Sequence, residues 1–155
     1  MKKVLTPEKV AQAWATKSQS EARNASGNFY FDGDTIYSYG SHFPIARHVT
    51  NDLGEGAILI TTKGYSVTTA RQIGRVRLAA SRTVLPIFHV PCVTRRDGFE
   101  PFDAFKTYAP RIEELQGKVA RARSYKELHN EQLEALRKEA AVFAQFFGIA
   151  QAVAA

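Results

Sequence analysis

At 155 residues the chain is long enough to bury a real core and fits one domain, and its 45% hydrophobic and 23% charged content is ordinary for a globular protein. The single cysteine, Cys92, excludes an internal disulfide, and no apolar run approaches the ~20 residues of a membrane span. Lys2-Lys3-Val4-Leu5 runs into Pro7 and Glu8 and makes no secretory signal, so a cytoplasmic protein without membrane contact is expected, and the net charge of +6 disfavours a cationic partner.

Thr6-Pro7-Glu8 opens a helix with a hydroxyl cap, a proline in the first turn and an acid. Val10, Ala13, Trp14 and the stem of Lys17 would share its apolar face. Lys17 to Gly27 is polar and reads as a frayed helix end and a loop.

The densest signal follows. Two aromatic and β-branched runs flank Asp32-Gly33, which predicts a type I′ hairpin pairing Phe31 with Asp34, Tyr30 with Thr35, Phe29 with Ile36 and Asn28 with Tyr37. Alternation then places Phe29, Phe31 and Ile36 on a core face, and Tyr30, Thr35, Tyr37 and Tyr39 on a half-wet one. His42 to Val49 is extended, and Pro44 marks it as an edge strand or a strand beside a bulge. Asn51 to Gly56 is a turn, and Ala57 to Thr62 reads as an interior strand.

A basic helix is expected from Ser66 or Thr68 to about Ser81. On its wheel Ile73, Val76 and Ala80 fall within about 60°, while Arg71, Arg75 and Arg82 fall within about 40° on another side. This helix lies in a segment, residues 57–96, that holds seven basic side chains and no carboxylate. Such a segment favours an anionic partner unless acids from the hairpin or the C-terminal helices cover it.

Val84 to Val90 reads as a further edge strand, and Cys92 to Tyr108 as a loop with a turn at Arg95-Arg96-Asp97-Gly98. Pro110 starts a helix carrying Ile112, Leu115, Val119 and Ala122 in one row. A second row, Leu133, Leu136, Ala140, Phe143 and Phe147, begins afresh after Ser124-Tyr125-Lys126-Glu127, a capping-box pattern that would start a new helix at Tyr125. An unbroken helix over 110–147 would run ~57 Å, too long for a domain of this size. Two helices with a sharp bend are therefore preferred over one long helix, with Gly148 as the C-terminal cap.

The element order predicts an α+β fold over residues 1–155: a mostly antiparallel sheet centred on 28–90, with an N-terminal helix, a basic mid-chain helix, and a C-terminal helical pair or long helix over 110–148. The 125–147 helix is a candidate for pairing with a second copy as a homodimer.

Phe29-Tyr30-Phe31-Asp32-Gly33-Asp34-Thr35-Ile36-Tyr37-Ser38-Tyr39-Gly40, continuing through His42-Phe43-Pro44-Ile45-Ala46, resembles a hairpin motif shared by small proteins of phages and other mobile elements. Thr61-Thr62, Tyr65-Ser66 and Thr68-Thr69 before Arg71 add to the likeness, which spans roughly residues 26–90. The resemblance implies a context, a phage or plasmid product in the host-cell cytoplasm that acts on nucleic acid or counters host defence. It carries over no catalytic residue.

His42 and His48 with Asp32, Asp34 and Asp52 sketch a metal or nuclease site, but positions six apart on a strand lie ~20 Å from each other, too far to share one ion. Cys92 with His89 lacks a nucleophile motif, and Gly54-Glu55-Gly56 has an acid that would repel phosphate. The strongest reading joins stacking by Tyr30, Tyr37 and Tyr39 to phosphate binding by Arg71, Arg75 and Arg82, with Arg47, Lys63, Ser66, Thr68 and Thr69 adding donors. The expectation is thus a non-enzymatic nucleic-acid-binding protein without a cofactor. A protein inhibitor of a host defence complex is the alternative and a metal-dependent nuclease the third reading.

Overall fold

A computed structural model of the chain describes residues 2–39, 43–64 and 66–149. They form two compact units, Met1–Gly98 and Phe99–Ala155.

In the first unit, helix α1 (Pro7–Thr16) starts where expected, with the Thr6 hydroxyl accepting from the Lys9 N–H at 3.4 Å. Val10, Ala13 and Trp14 are buried; Lys17 instead ends the helix in the left-handed region at φ 55° and is exposed. The segment expected to be loop contains a three-residue strand, β1 (Glu21–Arg23), which pairs antiparallel with β2 (Phe29–Asp32). Its single inward residue, Ala22, is too little pattern to betray a strand. The outer edge of β1 is itself covered, because Leu5 N–H donates to the Arg23 carbonyl (2.8 Å) and Arg23 N–H to the Lys3 carbonyl (2.7 Å).

The hairpin of β2 and β3 (Thr35–Ser38) forms, but its register is displaced: Asp32 faces Thr35, Phe31 Ile36, Tyr30 Tyr37 and Phe29 Ser38. The two turn residues are therefore Gly33 and Asp34, and only Gly33 has positive φ (61°), which matches a type II′ turn with glycine first. The displacement is two residues, so every side chain keeps its expected face. Strand β4 (Pro44–Thr50) lies inside the sheet between β3 and β5 (Gly56–Thr61), and a register shift at Ile36/Tyr37 accommodates Pro44. Pro44 therefore marks a bulge and not an edge.

Helix α2 (Val67–Ser81) links β5 to β6 (Ile87–Val90), which pairs parallel with β5 at the end of the order β1-β2-β3-β4-β5-β6. A parallel pair needs such a crossover. Val10, Trp14, Phe29, Phe31, Ile36, Ile58 and Ile60 form one apolar cluster with Ile73, Val76 and Ala80. Helices α1 and α2 thus both cover the Phe29–Phe31–Ile36 face.

In the second unit, residues 101–106, expected as loop, form helix α3 (Pro101–Lys106), capped by the Glu100 carboxylate accepting from Phe102 and Asp103 N–H at 3.0 and 2.8 Å. Helix α4 (Tyr108–Arg121) begins two residues before Pro110, which sits in the first turn where its missing N–H is harmless. The chain then breaks, as preferred, before α5 (Lys126–Phe147). The expected capping box does not start that helix: Tyr125 occupies the cap at φ 60° with no side-chain hydrogen bond. Gly148 closes α5 at φ 72°, as expected. The architecture is α+β, and no helix among the described residues is long and apolar enough to cross a membrane.

Tyr108 packs its ring against Phe105 and Phe143 and donates its hydroxyl to Glu139 Oε2 at 2.6 Å. Burial first, then the Glu139 charge, pushes its pKa up, so the hydroxyl stays a donor at any physiological pH. Tyr108→Phe, which removes a bond to a charged acceptor, is expected to destabilise the fold by about 1.5–3 kcal/mol, read as the shift in urea midpoint at unchanged m-value.

Candidate nucleic-acid interface

Strand alternation sends Tyr30 and Tyr37 away from α1 and α2. They face each other across the β2–β3 ladder and stack, with ring centroids 5.0 Å apart and planes 18° from parallel. Partial burial, then Tyr37 and Asp32, raises the Tyr30 pKa. A shallow groove beside the pair is lined by Lys3, Glu21, Arg23, Tyr30 and Asp32, and Lys3 is tied to Glu21 at 2.6 Å. Its charges are mixed, so the tyrosine side has no strong attraction for phosphate. Tyr39 follows the strand at φ 65°, exposed, with its N–H donating to the Asn28 carbonyl.

The arginine stripe lies on the other side of the sheet. Because Ile73, Val76 and Ala80 turn inward onto the Phe29–Phe31–Ile36 face, the outward half of α2 presents Arg71, Arg77 and Arg82 to solvent. Arg75 is half-exposed, and its Nε donates to Glu8 Oε1 of α1 at 3.2 Å. Arg71, Arg77 and Arg82 make no ion pair among the described residues. The single ring-and-guanidinium surface expected from the sequence is therefore not formed. One helix packed on one sheet face cannot share a surface with side chains that alternate to the opposite face.

The hydroxyls expected to meet phosphate serve the fold instead. Thr69 is 1% exposed, and Ser66 Oγ both accepts from the Thr69 N–H (3.1 Å) and donates to its hydroxyl (3.0 Å). Ser38 Oγ donates to Gln72 Oε1 (2.5 Å) and lies 3.2 Å from Thr69 Oγ1, while Gln72 Nε2 donates to the Asn28 carbonyl (3.2 Å). Sequence reasoning missed Gln72 and Ser38; the available signal was a glutamine adjoining the apolar side of the α2 wheel. Of this group, Thr68 is exposed and free to contact a ligand.

Arg47 is half-buried, and its Nε donates to the Val93 carbonyl. Burial, and secondarily Arg95, lowers its pKa. Lys63 is exposed, with Nζ 3.6 Å from Cys92 Sγ.

His48 is in the core, tilted against the Trp14 ring at 4.6 Å, and its Nε2 is 2.9 Å from the Trp14 carbonyl. A carbonyl only accepts, so Nε2 carries the proton, and burial lowers the pKa of the ring. That nitrogen is not available to a metal. His42 lies outside the described residues, among which no group of three or more His, Cys, Asp or Glu gathers to hold an ion.

Comparison with protein-family models, with curated proteins and with solved structures finds no match for the chain.

Proposed function

We propose that the chain is a non-enzymatic nucleic-acid-binding accessory protein of a phage or mobile element, acting in the host-cell cytoplasm and holding phosphates through the outward face of α2. One observation carries this reading: Arg71, Arg77 and Arg82 are exposed on a helix without an acidic residue, inside a 40-residue stretch without one. Lys63, Arg95 and Arg96 extend the same positive field. The phage context rests on the hairpin resemblance.

Fluorescence anisotropy of labelled DNA and RNA, titrated over a salt series, tests it. Three phosphate contacts on a duplex give a slope of log K against log salt near −2.7 or steeper. Binding that is absent or insensitive to salt for every single- and double-stranded probe overturns the reading.

Val67 and Leu78 supply the observation for a second reading, since they are 71% and 56% exposed on the same outward face. Apolar side chains there suit a protein surface, as an inhibitor of a host defence complex would require. A partner recovered from host lysate that survives both nuclease and 0.5 M salt would favour that inhibitor. Homodimerisation through 125–147 gains less support, because Leu133, Ala140 and Phe143 are buried within the second unit and Phe143 packs on Phe105 and Tyr108 of the same chain. His48, engaged in the core, lends a metal-dependent nuclease no support.

A further inference from the structure

Cations on the exposed half of α2 stand in two rows, Arg77 at one margin and Arg71 with Arg82 nearer its middle. On a wheel at 100° per residue, Arg77 stands about 120° from Arg71 and about 140° from Arg82, and the solvent-facing arc between them carries Gly74 and Leu78. Arg71 and Arg82 are also eleven positions apart, ~16 Å along the axis.

A single strand offers one line of phosphates and would engage one row. A duplex groove offers two. The major groove, ~12 Å wide, admits a helix and lies between two phosphate lines that guanidiniums in two rows can reach. The rings that would favour an unpaired strand, Tyr30 and Tyr37, face away on the other side of the sheet.

Gly74 adds an independent observation. It sits in the interior of an exposed helix, where glycine is less stable than alanine, and a Cβ built on it would meet nothing within 4 Å. Its φ is not positive and no neighbour presses on it, so the chain's own packing gives no reason for a glycine there. It bisects the arc between Arg77 and Arg71, so a helix that reaches one phosphate line with each turns Gly74 toward the groove floor.

We propose that α2 lies in the major groove of duplex DNA, with Arg77 contacting one phosphate strand, Arg71 and Arg82 the other, and Gly74 at the point of closest approach. This rests on the nucleic-acid reading above.

The test compares the full chain with Gly74→Leu and Arg77→Gln, on a mixed-sequence 20-bp duplex and on one of its single strands. Gly74→Leu is expected to melt at the same temperature as the parent or higher, yet to bind the duplex at least tenfold more weakly, with single-strand binding unchanged. Arg77→Gln should lower the magnitude of the duplex salt slope by about 0.9, and the parent should protect guanine N7, a major-groove atom, from dimethyl sulfate. Parent-like duplex binding by Gly74→Leu, an unaltered slope for Arg77→Gln, or unprotected N7 overturns the groove placement while leaving nucleic-acid binding intact. A parent that binds neither probe sinks the functional reading and the placement together.

Discussion

Trp14→Ala is expected to remove about 3–5 kcal/mol of folding free energy, the usual cost of emptying a large aromatic site that cannot collapse. The residue is 1% exposed at the centre of the α1 contact with the sheet. Its Nε1 donates to the Asp34 carbonyl at 2.8 Å, the same oxygen that accepts the His48 N–H at 3.0 Å, so the indole helps hold the hairpin turn against β4. Its own carbonyl, near the end of α1, is met by His48 Nε2, and the two rings stand 4.6 Å apart. Against a typical total of 5–15 kcal/mol this loss is large, and a denaturant midpoint scarcely below that of the parent would show that the indole is not the keystone described. Trp14→Phe keeps most of the volume and should lose distinctly less.

Replacing Arg71, Arg77 and Arg82 together by Gln is the second large effect. At 0.1 M salt each phosphate neutralised on a duplex is worth ~0.9 log unit of affinity, so three lost contacts predict a fall of about 500-fold, or ~3.7 kcal/mol. The slope of log K against log salt should flatten by about 2.7 in the same experiment. Stability should hardly change, because these side chains are exposed and make no ion pair among the described residues. Salt slopes identical in parent and variant would place the binding surface elsewhere on the chain, with Arg95, Arg96 and Lys63 the next to be substituted.

Strongly periodic elements were legible in the sequence because the physics that forms them is local. The Thr6-Pro7-Glu8 start, the inward set Phe29, Phe31 and Ile36, the basic helix with its buried Ile73, Val76 and Ala80, and the break near residue 124 all follow from caps, alternation and helical spacing. Elements held by distant partners were not. Strand β1 has one inward residue and exists because β2 and residues 3–5 pair with its two edges. Helix α3 is six residues long, and only its Glu100-Pro101 start announced it. The hairpin register depended on which of two adjacent pairs, Asp32-Gly33 or Gly33-Asp34, took the turn.

The candidate site was half legible for a related reason. Alternation and the helical wheel say which side chains share a face of one element, and they placed Tyr30 with Tyr37 and Arg71 with Arg82, though Arg75 is tied to Glu8 and Thr35 is buried. They do not say on which side of a sheet a helix will lie. Once α2 lay over the phenylalanine side, the tyrosine side was left behind the sheet, and no pattern within either segment encodes that choice.

Hydrogen bonds among Ser38, Thr69, Gln72 and the Asn28 carbonyl fasten α2 to the hairpin. Apolar contacts at Ile73, Val76 and Ala80 tolerate a helix rolling about its long axis by some tens of degrees, whereas a bond between two side-chain oxygens and an amide does not. This latch sets the rotational phase of α2. The outward residues are consequently free to vary with whatever they touch, while a pair of hidden oxygens keeps them aimed.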